Sequence, residues 1–495
     1  MALTRLLRRR TAVLLGFVIA TLAAGAAYAT PAPPTVPMAT VAVTGCPSNG
    51  VQVPADYLGL SIEWSMVAHW FGTSAAGAVQ PTVALLDSLE TSPGSGGVLR
   101  IGGNSQDGYV WRPDAQLADN GLFKGVINRG MIDALLAVAD RSGWKLVLGV
   151  NLRGNRPADA VALTRYALSR DTNHRLLGVE LGNEPTVYFG SDATSYVARI
   201  YTYVQALDAD PVARGVPIIG PSLANRTDLS LLTSIHQAYG ARLPFLTWHH
   251  YANRPTLTGL LSAAVSKEWT DRLAQVKTAA EGAPTRMDEG NSVGNGGLGR
   301  VSDVLGSSAW QVDAMLTGAA AGLAGYHAHA WDGYYYPAEK RESYYTPFVV
   351  RGGLVFPRPT FYAMALLRDL PGKRFCSAVT AVAAGQNVKS WTLVDPTSQR
   401  LQVYAVNKSD ADAGDVTLTT PLQYAGAASV SRITDPAGCG GHKSSIEGAR
   451  LPSTGAFTWT PTTLDPVAMS TYSIHLEPCQ TALLDIPVTG GSHGP

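Results

Sequence analysis

Two short segments hold the groups best suited to chemistry. Val179-Glu180-Leu181-Gly182-Asn183-Glu184-Pro185 closes an apolar run with a carboxylate, and Thr285-Arg286-Met287-Asp288-Glu289-Gly290-Asn291-Ser292 does so again further along the chain. Cleaving a glycosidic bond needs two carboxyl groups facing each other. One is protonated and serves the leaving oxygen, and the other is ionised and acts as nucleophile or base. Placed close together, two such groups push their pKa values apart, because the first charge opposes the second. A single Glu at the end of an apolar run would usually be a solvated charge. Asn-Glu-Pro after one run, with an acid in a Gly-rich loop after another, is a stricter pattern.

For the two carboxyl groups to meet, corresponding ends of several elements must converge. Eight strand-length apolar runs are spaced along the chain: Tyr57–Glu63, Val98–Asn104, Lys145–Asn151, Leu176–Glu184, Pro217–Pro221, Phe245–Tyr251, Thr285–Asn291 and Leu323–Ala330. Amphipathic stretches such as Gly130–Arg141, Ala158–Arg170, Thr194–Leu207 and Leu260–Ala280 lie between them, several preceded by Asp or Ser as helix caps. Eight such alternations predict an α/β fold, a (β/α)8 TIM barrel, with its chemistry at the C-terminal ends of the strands. An open doubly wound sheet would carry a Gly-rich nucleotide loop after its first strand, whereas Trp64-Ser65-Met66 follows here. In the fourth run, Glu180, Gly182 and Glu184 share one side of the strand.

Beyond about residue 371 the runs become short and β-rich, separated by turns such as Asp435-Pro436-Ala437-Gly438, which predicts an antiparallel β-sandwich. Thr40–Val53 reads as strand and is expected to join it. Arg5, Arg8, Arg9 and Arg10, the apolar Thr11–Ala27 and Ala27-Tyr28-Ala29 have the layout of a secretory signal peptide. The expected division is a signal peptide over 1–29, a strand segment joining the sandwich over 30–54, the catalytic barrel over 55–371, the sandwich over 372–485 and a flexible tail over 486–495. Export suits the even number of cysteines. Cys46, Cys376, Cys439 and Cys479 are expected to form two disulfides bracing the C-terminal region, with three possible pairings.

Charge narrows the partners. Against 38 Lys+Arg stand 37 Asp+Glu, and losing the leader's four Arg takes the net charge from +1 to −3. No basic surplus exists to neutralise phosphates, which argues against nucleic acid as a partner, and no other apolar run is long enough to span a membrane, so none is expected once the leader is cleaved. Cys and His show no metal-ligand spacing, and neither a metal nor a cofactor is expected.

Leu181-Gly182-Asn183-Glu184-Pro185, Leu99-Arg100-Ile101-Gly102-Gly103-Asn104-Ser105 and Asp288-Glu289-Gly290-Asn291-Ser292 together resemble glycoside hydrolase family 79. That family holds the heparanases and microbial β-glucuronidases, within a large clan of retaining barrel glycosidases. The resemblance runs from about Thr40 to Glu477. It implies Glu184 as acid/base, Glu289 as nucleophile and Asn183 as the partner of the sugar 2-hydroxyl. Glu63 and Asn104 match positions that hold sugar hydroxyls. In Trp248-His249-His250-Tyr251, either His250 or Tyr251 would orient the nucleophile.

The family receives the substrate carboxylate on backbone N–H groups of a Gly-rich loop, here Val293-Gly294-Asn295-Gly296-Gly297, so Gly294, Asn295 and Gly296 are candidates. Gly294 stands where heparanase-like members carry a Tyr. His329, with Tyr334 or Tyr336, would complete the uronate site. The implied activity is that of a secreted exo-β-glucuronidase acting by double displacement on a glucuronic-acid-containing glycoside or polysaccharide. An endo-acting, heparanase-like hydrolase would be expected to line an open cleft with basic residues, to which nine Lys and a net charge of −3 lend little support. A catalytically silent carbohydrate-binding protein would be free to lose one of the two carboxylates, and both are present.

Overall fold

Each of the eight apolar runs forms a strand, and the strands close on themselves. The computed structural model describes residues 36–90, 96–117, 121, 123–224, 229–333, 343–421, 423–424 and 426–488, and these carry the account below. The barrel strands are Leu58–Glu63, Val98–Gly102, Lys145–Val150, Leu176–Leu181, Ile218–Leu223, Leu246–Tyr251, Thr285–Asn291 and Gly325–Ala330, hereafter strands 1 to 8. They form one closed parallel barrel, with strand 8 paired to strand 1. The fold is the expected (β/α)8 barrel with additional antiparallel sheets.

Strand alternation explains the two faces. On strand 6, Leu246 and Trp248 join the large apolar cluster shared with the surrounding helices. Thr247, His249 and Tyr251 point the other way, into the barrel. At the floor of the barrel, Val98, Val147, Ile219 and Phe245 pack together as a separate small cluster. Arg286 reaches this level too, its guanidinium 4.8 Å from the centre of the Phe245 ring and paired with Asp56 (2.5 Å).

The first strand of the described chain, Ala39–Gly45, lies far from the barrel strands. It pairs antiparallel with Ser377–Val382 and parallel with Gly414–Thr419, in a four-stranded sheet that ends with Thr471–Leu476. A seven-stranded sheet lies behind it. Leu401–Asn407, in that second sheet, is buried along its whole length, and its alternation shows why. Leu401, Val403 and Ala405 pack into the core shared with the four-stranded sheet, whereas Tyr404 and Val406 belong to the barrel's apolar cluster. One strand thus serves two cores. The described residues from Pro37 onward form a single compact unit.

Polar contacts reinforce this seam. Asp313, on the barrel helix Leu305–Ala320, is buried between Lys389 and Lys408 of the seven-stranded sheet. Burial opposes its charge, but the two ammonium groups hold its carboxyl down at about 2. The disulfides pair Cys46 with Cys376 and Cys439 with Cys479. The first ties the N-terminal strand to the start of the C-terminal sheets. Among the described residues, no helix is long and apolar enough to cross a membrane. The signal-peptide segment and most of the tail lie outside the described residues.

The seam makes the C-terminal sheets part of the barrel's own stability. The helix Pro359–Leu366 is buried at every residue, so cutting the chain at 371 would expose apolar faces and strand Asp313 without its cations. We expect a 30–371 fragment to be insoluble when expressed under conditions that yield soluble full-length protein. Recovery of a soluble, active fragment would show that the barrel needs no sandwich.

Candidate active site

Above the apolar floor, strand 2 continues from Val98 to Arg100 on the same inward face. Arg100 is fully buried, and its guanidinium touches four strands besides its own. Nε donates to both carboxylate oxygens of Glu180 (3.0 and 3.1 Å), and Nη2 donates to Glu180 Oε1 (2.6 Å), Asn183 Oδ1 (2.7 Å) and Ser222 Oγ (2.9 Å). Nη1 donates to Ser61 Oγ (3.0 Å) and Glu289 Oε2 (2.9 Å). Surrounded by these carboxylates, which outweigh the burial penalty, the guanidinium is held even more firmly in its charged form.

Strand 7 delivers two acids to the same place. Its ladder with strand 6 steps from Met287 opposite Trp248 directly to Glu289 opposite His249. The extra residue, Asp288, makes a bulge, and a bulge re-aims side chains. Asp288 and Glu289 consequently both point inward, and both are buried. Glu289 Oε1 accepts from the Tyr251 hydroxyl (2.8 Å) and lies 3.6 Å from His329 Nδ1 and 3.8 Å from His249 Nδ1. Burial alone would raise its pKa. The charges of His329, His249 and Arg100, with the Tyr251 hydrogen bond, overcome that and hold it well below the usual carboxylate range.

Glu184 stands beyond the end of strand 4, where Gly182 turns the chain at φ +86°. Glu184 itself is left-handed at φ +46°, a conformation that costs a non-glycine residue about 1–3 kcal/mol. Its backbone N–H donates to the Ser222 carbonyl (3.0 Å), which fixes the turn. The half-buried carboxyl reaches His249 Nδ1 at 2.9 Å through Oε1. Carboxyl oxygens of Glu184 and Glu289, with a His249 ring nitrogen, all lie within 4.8 Å of one another. For His249, burial opposes charge, but the Glu289 charge and the hydrogen bond and charge of Glu184 prevail and raise its pKa. The trio could gather around a cation only if that imidazolium lost its proton.

Not every expected residue reaches the site. Glu184, Glu289, Asn183, Tyr251 and His329 converge, with Tyr251 linking Glu289 to His329 Nδ1 (2.9 Å). His250 does not. It alternates to the outer face of strand 6, where its ring packs 4.5 Å from that of Trp269, and His249 takes the inward place. Glu63 lies 3.5 Å from His329 Nε2, but its oxygens accept the Asn104 and Ser105 backbone N–H groups (3.0 and 2.7 Å) and the Ser105 hydroxyl (2.6 Å). Gly103 permits this approach: at φ +68°, any Cβ there would come 2.5 Å from the Glu63 carboxyl. Glu63 therefore shapes the loop that presents the exposed Asn104.

The Gly-rich loop also needs a correction. Gly294 N–H donates to Asn253 Oδ1 (2.8 Å) and is not available to an anion, and Gly297 N–H closes on the Gly294 carbonyl (3.2 Å). The intervening amides of Asn295 and Gly296, at φ +54° and +88°, remain as the candidate anion nest. Tyr334 and Tyr336 lie outside the described residues. Besides Tyr251, the described tyrosine that meets His329 is Tyr345, whose hydroxyl lies 2.8 Å from His329 Nδ1 and accepts from Trp331 Nε1 (2.7 Å). Arg100, Glu180, Ser222, His249, Asp288 and Tyr345 are thus site residues that reading the sequence did not select.

No family model matches the chain, and no curated protein matches it. Solved structures share its fold at low identity. A 4-O-α-L-rhamnosyl-β-D-glucuronidase from Fusarium oxysporum 12S, in its Rha-GlcA complex, superposes with a TM-score of 0.71 over 90% of this chain and 99% of that one, at 17% identity. The GH51 arabinofuranosidase from Xanthomonas axonopodis pv. citri gives 0.68 over 90% and 100%, at 12% identity. The α-L-arabinofuranosidase from Thermotoga maritima, in its arabinose complex, gives 0.63 over 91% and 99%, at 13%. The barrel and the trailing sheets together form a fold used by glycosidases.

Removing the central cation should be costly in a pH-dependent way. Arg100→Met leaves buried carboxylates without their cation, a loss of about 3–5 kcal/mol by analogy with other broken buried pairs. Glu289's lowered pKa contributes stability above about pH 4.5 that is lost as pH falls through its folded value. The variant's deficit should accordingly be largest near neutrality and shrink on acidification. Urea unfolding at pH 7 and pH 4 checks this; a deficit that grew at low pH would contradict the charge assignment.

Proposed function

We propose that this chain is a secreted glycoside hydrolase, a retaining exo-β-glucuronidase acting on terminal β-linked glucuronic acid. The observation that carries the reading is the spacing and charge of two carboxyl groups. Glu289 is held ionised, and an oxygen of Glu184 stands within 4.8 Å of it. Retaining enzymes place their carboxyls ~5–5.5 Å apart, whereas inverting ones leave ~6.5–9.5 Å for a water. The glucuronate preference is supported by the motif resemblance and by the fold shared with a rhamnosyl-glucuronidase in its Rha-GlcA complex. The two disulfides support export.

Each residue then has a task. Glu289 attacks the anomeric carbon while Glu184 gives its proton to the glycosidic oxygen, which leaves a glucuronyl ester on Glu289. Arg100 and Tyr251, each on one Glu289 oxygen, orient the nucleophile for that attack. Glu184, now a carboxylate, takes a proton from water, whose oxygen releases the sugar with its β configuration. Asn183 gives its amide oxygen to Arg100, and this turns its NH₂ towards the sugar 2-hydroxyl. The amides of Asn295 and Gly296 receive the uronate, together with His329 and Tyr345, whose backbone runs beside the loop through the Tyr344 N–H bond to the Gly296 carbonyl (2.6 Å).

Carboxylate recognition is separable from catalysis. Gly296→Val should raise KM for an aryl glucuronide at least tenfold and change turnover of the matching glucoside, already slow, much less. Equal losses on both would mean that the loop does not read the carboxylate.

The division of labour between the two Glu has a chemical signature. Glu184→Ala should cripple glucuronides with poor leaving groups, by about 10²–10⁴ for a lost general acid, but spare the first step for an activated aryl leaving group. Azide should then restore turnover and yield the β-glucuronyl azide. Glu289→Ala should abolish hydrolysis of both substrates, and azide could rescue it only with inversion, to the α-azide. Opposite anomers in the two variants would reverse the assigned roles. Oligosaccharides released from the interior of a glucuronic-acid polymer would indicate the endo activity instead.

A further inference from the structure

The hydrogen bonds behind Glu184 continue past His249. His249 Nε2 lies 2.8 Å from Ser222 Oγ, and Ser222 Oγ donates to Asp288 Oδ2 at 2.9 Å. Together with the 2.9 Å contact of His249 Nδ1 on Glu184 Oε1, these bonds join two carboxyl groups from different strands by an unbroken path. His249, Ser222 and Asp288 are buried. Arg100 Nη2 also donates to Ser222 Oγ. With His249 as imidazolium, the Ser222 oxygen accepts twice, and its own proton goes to Asp288.

Charge balance then constrains Asp288. It is faced by Arg100 from strand 2 (3.9 Å), Glu180 from strand 4, Ser222 from strand 5 and His249 from strand 6 (3.7 Å), and Glu289 is its neighbour on strand 7. Glu180 and Glu289 already match the two cations Arg100 and His249. His329, on strand 8, lies between Glu289 and Glu63. A third carboxylate beside Arg100 would leave an uncompensated charge away from water. Burial and the nearby Glu180 carboxylate push the Asp288 pKa well above its ordinary value, against the opposing pull of His249 and Arg100.

We propose that Asp288 carries a proton in the resting enzyme and acts, through Ser222, as a positioning residue that keeps the His249 imidazolium turned towards Glu184. An ionised Asp288 would draw that positive charge to the far side of the ring, through Ser222. A neutral one anchors the ring and leaves its charge directed at the two reacting carboxyls. When Glu184 has given up its proton, the carboxylate it becomes meets the His249 Nδ1–H, and no proton need leave Asp288. The inference rests on Glu184 being the acid/base.

Infrared spectroscopy reads the proton without any substrate. In Glu184→Gln, which removes the acid/base's own carboxyl, the protonated-carboxyl C=O absorption at pH 7 should contain, besides the share of Glu90, whose burial pushes its pKa up to about 7, a component that is lost in Glu184→Gln/Asp288→Asn. Its absence at pH 7 would overturn the proposal. Kinetics reads the positioning. Asp288→Ala and Ser222→Ala should each lower kcat by about tenfold or more for poor leaving groups, with KM little changed and activated aryl glucuronides spared, since only a part of the general-acid contribution is at stake. Asp288→Asn, shaped like a neutral carboxyl, should recover most of the loss, with the basic limb of the pH–rate profile within half a unit of wild type. An Asn variant as damaged as the Ala variant, or equal losses on both substrate types, would overturn the positioning role. If Glu184→Gln itself left poor substrates unaffected, the acid/base assignment would fail while the infrared result still stood.

Discussion

A single buried guanidinium organises this site. An isolated ion of that size would cost of order 20 kcal/mol to move into a dry interior in the idealised limit, and several even after relaxation. Arg100 is tolerated because Glu180 grips it along one edge and Glu289 takes another nitrogen, while Ser61, Ser222 and Asn183 satisfy remaining N–H groups. The same contacts decide the chemistry. Glu289 is kept anionic by the charge that positions it, and Asn183 has its amide orientation set by Arg100. In the proposed mechanism, stability and nucleophile activation are one electrostatic arrangement viewed from two residues.

That arrangement needs a rigid frame, since a displacement of about 1 Å at a reacting centre can cost a hundredfold in rate. Below, the plug of Val98, Val147, Ile219 and Phe245 keeps the cluster away from the open bottom of the barrel. Outside, the barrel helices are clamped by a sheet that shares their core through Tyr404 and Val406, and by Asp313 between two lysines. The trailing sheets are therefore structural partners of the candidate site, although among the described residues none that lines it comes from them.

Much of this was legible in the sequence, and the reasons differ from residue to residue. Period and length announced all eight strands, because each strand is a short apolar run closed by polar residues. The (β/α)8 barrel followed from their count. Glu184 and Glu289 were visible because a strand end is where a barrel exposes its chemistry. Of the two alternatives on strand 6, His250 and Tyr251, only Tyr251 shares the inward face, and it does so with His249: i and i+2 share a face, and i+1 does not.

Asp288 was hidden for a deeper reason. Alternation places the neighbour of an inward Glu289 outside the barrel, and only a bulge at Met287–Glu289 returns Asp288 to the interior. A bulge is set by pairing with strands 6 and 8, which is tertiary information that no local pattern of apolar residues encodes. Arg100 is the intermediate case: a lone Arg within Val98–Gly102 signals a buried ion pair, but its partners lie on strands 4 and 7, far away in sequence. Local periodicity thus reveals where a strand ends and which residues face inward. The electrostatics at the centre of the barrel emerge only once Glu180, Asp288, Glu289 and Arg100 are brought together, and the departure from regular pairing at Asp288 is what adds the third acid to one cation.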